Sequence, residues 1–231
     1  MTTINFNRMI AGVIIYCCLG LTSCFTAHTA FNHPNDLKNI RSTVELTDNT
    51  ELSGYLSFSN TSAYATLYSP AHGKSVKINS EDILAIKTDM GHFERKILDR
   101  HYGWESNKSM RAAFVKRITD ENDFVNIYEY KEGVTNPKSA LITYTKRYYI
   151  TLPGDQSNRI WDLDGGEFRS EFNKKMEELF AADTRLVSLI QQKDDKYYCK
   201  KFSLRSNNKV RVILNLNRDY QASEGRLTTG N

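Results

Sequence analysis

The sequence predicts an α+β protein: mainly antiparallel β, as a small barrel or a meander, with a C-terminal helical hairpin packed on the sheet. Three observations predict it. Between Val44 and Leu152, apolar residues recur at every second position in short runs, the period of half-buried strands. Polar clusters and Gly or Pro turn signals separate those runs. From Glu167 the period changes to helical, with Phe168, Phe172, Met176, Leu179 and Phe180 forming one stripe.

The chain opens on a different pattern. A short segment carrying Arg8 precedes a 13-residue apolar run, Met9 to Leu21, which ends in Leu21-Thr22-Ser23-Cys24. Crossing a bilayer takes about 20 apolar residues, and no basic stop-transfer cluster follows, so the run reads as a removable export signal. Its end resembles the lipobox of bacterial lipoproteins: an aliphatic residue, two small residues and the lipid-accepting cysteine. That resemblance implies a signal peptide over residues 1–23, cleavage between Ser23 and Cys24, and acylation of Cys24 with diacylglycerol and a further fatty chain such as palmitate. Several chains together give a stable anchor where one does not. Bulky Tyr16 makes Cys17 a poor rival to Cys24. Phe25 rather than an acid follows Cys24, and no acid occurs before Asp36. In the lipoprotein family this implies the outer membrane and its periplasmic side. Residues 24–40 lack periodicity and read as a tether, leaving residues 41–220 as a single domain.

Composition limits what that domain is. The 231 residues suffice for a true core without disulfide staples. Of four cysteines, Cys17 and Cys18 leave with the signal and Cys24 is taken by lipid, so Cys199 has no partner for an intramolecular bond. The formal charge is only +4, and the pairs Lys116-Arg117, Lys146-Arg147 and Lys200-Lys201 are scattered, which describes a solvated surface and gives no reason to expect a nucleic acid partner. No later segment is apolar enough to cross a membrane as a helix.

The domain opens with a hairpin: Val44 and Leu46 alternate with polar neighbours, Asp48-Asn49 turns, and Leu52, Gly54, Leu56 and Phe58 share a face. Tyr64 to Tyr68 and Val76 to Ile78 follow as strands. Ser80-Glu81-Asp82-Ile83 suits one capped turn before Leu84 and Ile86 resume alternation. In residues 43–88 this order resembles a small Sm-like or SH3-like barrel, carried by Val44, Leu46, Asp48, Leu52, Gly54 and Leu56, then Ile78, Glu81, Asp82, Ile83 and Ile86. Gly54 falls where a strand bends to serve two sides of a closed sheet.

Further strands are expected at Phe93 to Leu98, Phe114 to Thr119, Phe124 to Tyr130, Leu141 to Leu152 and Ile160 to Leu163, with a loop from Asp99 to Met110. In the long one, Ile142, Tyr144, Tyr148, Ile150 and Leu152 share the core face. Glu167 to Phe180 forms a helix, Asp183 or Thr184 caps a second one bearing Leu186, Val187, Leu189 and Ile190, and Val210 to Leu216 leans to helix over strand. Residues 221–231 read as a disordered polar tail. Tyr148-Tyr149-Ile150, Phe168, Phe172, Leu179-Phe180 and Leu186 also resemble a pattern among uncharacterised envelope lipoproteins, which implies no particular activity.

Catalytic motifs are scarce. The five histidines form no His-x-His, His-Glu-x-x-His or other zinc spacing, and there is no Cys-x-x-Cys, nucleophile elbow, Ser-x-x-Lys or phosphate-cradling glycine loop. Asp162-Leu163-Asp164-Gly165-Gly166-Glu167 looks acidic but lacks the ligand spacing of a calcium loop, and reads as a turn into a helix. No cofactor is expected. The first functional reading is a non-catalytic binding or structural module, held at the membrane by its lipid and contacting a protein, glycan or lipid through exposed aromatics such as Tyr55, Trp104 and Tyr149. The alternative is an envelope hydrolase with a site assembled around His92, Asp99 and His101. Cys199 sits in no reactive-cysteine signature, and burial is the commoner fate of such a residue.

Overall fold

A computed structural model of the protein describes residues 26–29, 37–59, 62–100, 109–135, 142–200 and 206–228. The expected signal peptide 1–23, Cys24, His101 and Trp104 lie outside the described residues. Among the described residues eleven strands form one sheet: β1 (Thr26–Thr29), β2 (Leu37–Leu46), β3 (Glu51–Phe58), β4 (Tyr64–Ser69), β5 (Lys74–Asn79), β6 (Ile83–Thr88), β7 (Gly91–Arg100), β8 (Ser109–Arg117), β9 (Ile127–Thr135), β10 (Ile142–Ile150) and β11 (Arg159–Asp162). Among the described residues four helices follow: α1 (Gly166–Ser170), α2 (Phe172–Leu179), α3 (Thr184–Gln191) and α4 (Ser206–Thr228). The class is α+β and the sheet is mostly antiparallel, as the alternation predicts.

The first half runs β6-β2-β3-β4-β5 in space. Asn49 takes a left-handed conformation at φ 65°, and Asp48 Oδ1 accepts from Thr50 N at 2.9 Å, so the Asp-Asn pair makes the turn its chemistry favours. A 3-10 turn, Ser80–Asp82, is capped by Asn79, whose side chain accepts from Glu81 N. One face of these strands buries Val44, Leu56, Leu67, Ile78 and Ile86, together with Phe93 of β7. Phe58 meets Phe114 of β8 edge-on, ring centres 5.3 Å apart, which brings β3 over β8.

The second half closes on itself. β7 pairs with β8, β8 with β9, β9 with β10, β10 with β11, and β11 returns to β7 as a parallel neighbour. Opposed residues share a face, so this five-strand ring turns Glu94, Val115, Tyr128, Tyr149 and Ile160 the same way. Tyr128, Tyr130 and Tyr149 are fully buried there. On the opposite face of the same strands, Ile127 and Ile150 join Leu163 and the helices in a second core with Phe168, Phe172, Met176, Phe180, Leu186, Ile190, Val212, Ile213 and Leu216. β9 to β11 are thus a wall between two cores.

Several expectations need correction. The tether is not unstructured throughout: residues 26–29 pair with β9, and β2 begins at Leu37, which is buried. Leu84 is exposed while Ile83, Ala85 and Ile86 are buried, because a register shift in the β2–β6 ladder between Glu45 and Leu46 breaks the simple alternation. Both ends of the expected loop from Asp99 to Met110 belong to β7 and β8. The helix expected over 167–180 is interrupted at Glu171, which leaves helical geometry at φ −121°, ψ 25°. Its stripe is buried nonetheless. The tail expected from 221 is helical to Thr228 as the last turns of α4. Asp183 does cap α3, its Oδ1 accepting from Leu186 N at 3.1 Å, and Val210 to Leu216 is helix.

Candidate functional site

A concavity opens among the helices, bordered on one side by the ring. It encloses about 770 Å³, within the roughly 300–1,000 Å³ usual for small-molecule sites. Its walls come from α1, α2, the end of α3, residues 198–200, the start of α4 and Arg147 of β10. Phe172, Ile190 and Cys199 are buried apolar or weakly polar residues in its lining. Around them stand six cations, Arg147, Arg169, Lys174, Lys193, Lys200 and Lys209, against three carboxylates, Asp164, Glu171 and Glu177.

Local structure fixes these walls. Asn173 of α2 clasps the backbone of Cys199, donating to its carbonyl and accepting from its N–H, both at 2.8 Å. Tyr197 donates to Asp219 of α4, and Lys196 pairs with the same carboxylate at 2.7 Å. Burial opposes the charge of Asp219, yet hydrogen bonds from Lys196 and Tyr197 outweigh it and hold its pKa at about 2. Lys193 sits just past α3 at φ 60°, and the following N–H, of Asp194, bonds Leu189 O at 3.1 Å, the left-handed ending of many helices.

The cations differ in how far they are engaged. Lys209 is a structural tie: its buried ammonium donates to Leu163 O at 2.5 Å and to Asp164 Oδ1 at 3.2 Å. Arg147 pairs with Asp162 at 3.3 Å, Lys174 with Glu171 at 3.6 Å and Lys200 with Asp195 at 3.0 Å. Arg169 and Lys193 have exposed side chains without a partner among the described residues. The first turn of α2 borders the same space, and Glu171 gives it no side-chain cap.

A second polar constellation lies on the inner side of the ring. Glu94 meets Lys96 at 2.9 Å and Arg117 at 3.0 Å, and accepts from Tyr128 at 3.2 Å. Burial works against the Glu94 charge, but Lys96 and Arg117 hold its carboxyl below the usual range. Arg117 donates to His92 Nδ1 at 2.8 Å. Burial first, and then the Arg117 charge, lowers the His92 pKa, and because a guanidinium only donates, Nδ1 is the acceptor of this bond. Every carboxylate and cation here is engaged by another, which describes a packed structural network.

The residues singled out in the sequence are not brought together. His92 and Asp99 lie near opposite ends of β7, roughly 23 Å of strand apart at about 3.3 Å per residue. His101 lies outside the described residues. Cys199 is buried, and burial raises its thiol pKa, the reverse of what a nucleophile needs. In the acidic turn, Asp162 Oδ1 accepts from Asp164 N at 2.8 Å while Arg147 and Lys209 occupy the two carboxylates, so it is a turn into α1 as its sequence implies. Among the described residues no three His, Cys, Asp or Glu side chains gather as metal ligands. Tyr55 is 39% exposed, but Tyr149 is 0% exposed and is no surface aromatic.

The cleft itself was not legible. Arg147 and Lys200 were visible only as members of scattered basic pairs, and nothing in their spacing says that β10 and the α3–α4 connection converge. Comparison with protein-family models, curated proteins and solved structures finds no match.

Proposed function

We propose that the chain is a lipid-anchored envelope protein whose folded part is a non-catalytic binding module, facing the periplasm from the outer membrane. The observation that carries the binding half is the 770 Å³ cleft with Arg169 and Lys193, which have no side-chain partner among the described residues, in its lining. A concave site with few placed polar groups is what a ligand module needs. The anchor half rests on Leu21-Thr22-Ser23-Cys24 after its apolar run. The strand order β6-β2-β3-β4-β5, with one 3-10 turn before the strand that pairs back to β2, supports reading residues 43–88 as an Sm-like or SH3-like element; here it serves as scaffold.

Metabolic labelling with a fatty acid, followed by membrane fractionation, tests the anchor. Wild-type chain should carry label and sediment with outer membranes, and Cys24→Ser should lose the label and leave the membrane fraction. Equal labelling of the two would remove the anchor from the account.

A further inference from the structure

We infer that the cleft between α1, α2 and the end of α3 takes a phosphate ester, with Arg169 and Lys193 holding the phosphate. The inference rests on the binding-module reading and names its ligand class. Cations outnumber carboxylates two to one around the cleft, and low-dielectric walls focus such an excess onto whatever enters. Four of the six cations already have carboxylate partners, which leaves Arg169 and Lys193 against the one remaining lining carboxylate, Glu177, a surplus of one positive charge. A guanidinium matches phosphate oxygens two at a time and an ammonium adds a point charge, which suits a tetrahedral dianion better than a single carboxylate. Phe172, Ile190 and Cys199 form a buried floor behind the cleft, and Lys209 is locked to Leu163 and Asp164, so that it shapes the site without meeting ligand.

The test is titration calorimetry on the full chain with three probes: inorganic phosphate, dihexanoylphosphatidic acid below its micellar concentration, and neutral dihexanoylglycerol. The phosphate probes should bind, and binding should weaken as salt is raised. Arg169→Gln and Lys193→Gln should each weaken it by about tenfold, the range for a lost charged hydrogen bond. Lys77→Gln, on β5 in the other half of the sheet, should leave it unchanged. Much tighter binding of the phosphatidic acid than of phosphate assigns the site to a lipid headgroup; similar binding of the two assigns it to free phosphate esters. Binding of dihexanoylglycerol alone would overturn the phosphate assignment and leave a ligand site standing. Binding of none of the three at millimolar concentration, or phosphate binding indifferent to both substitutions, would overturn the proposal, and the former result would remove the module reading with it.

Discussion

Gly54 shows how one residue sets the curvature of the first half. A Cβ built there would run into the backbone carbonyl of Tyr68, with Leu67 Cδ1 3.2 Å away. The demand is for close backbone approach, just beyond the Tyr55–Tyr68 pair that ends the β3–β4 ladder. A carbonyl cannot swing aside as a side-chain tip can. Gly54→Val should therefore cost about 1–3 kcal/mol, read as a lowered melting temperature. An unchanged melting temperature would mean that β4 gives way freely. This position was legible, since a glycine inside an alternating strand signals a bend or a close approach. His92 was not: its spacing from Asp99 and His101 suggested a site, whereas its partner is Arg117, 25 positions away across the β7–β8 pair.

At the scale of elements, local chemistry was the most readable. The Asp183 cap, the 3-10 turn after Asn79 and the buried stripe of α1 and α2 follow from residue types at fixed offsets. What tertiary pairing decides was missed. Residues 26–29 carry no strand pattern of their own and are extended because β9 offers an edge. Polar residues 221–228 continue α4, and Gln221 bonds back to Asn122 and Asp123. The contact of α4 with residues 196–197 makes an acid-sensitive joint through Asp219. Its folded pKa of about 2 lies below the ordinary 3.8, so the ionised form stabilises the fold. That contribution is complete above 3.8 and is lost as pH falls through about 2. Urea midpoints of wild type and Asp219→Asn should therefore differ most near neutrality and converge as the pH drops from 3.8 to about 2. A constant gap would show that Asp219 is not the titrating group.

For the molecule as a whole, the wall formed by β9, β10 and β11 matters most. Strand alternation assigns one face to a core and the other to solvent, and that reasoning placed Tyr149 at the surface. Closure of the ring turns the second face inward, so Tyr149 and Ile150 are both fully buried on opposite sides of one strand. No local pattern announces this, because it depends on β11 reaching β7 from more than 60 positions away. Its consequence is mechanical: helices and strands share a wall, so each core is bounded by the other. Phe172 lies in the core between helices and wall, 4% exposed, so Phe172→Ala should cost about 3–5 kcal/mol. Peptide-resolved hydrogen exchange of Phe172→Ala measures where that loss is felt. Amides of β2 to β6, on the far side of the wall, should exchange faster together with those of α1 to α4, as one cooperative unit requires. Acceleration confined to the helices, with β2 to β6 exchanging as in wild type, would contradict the account.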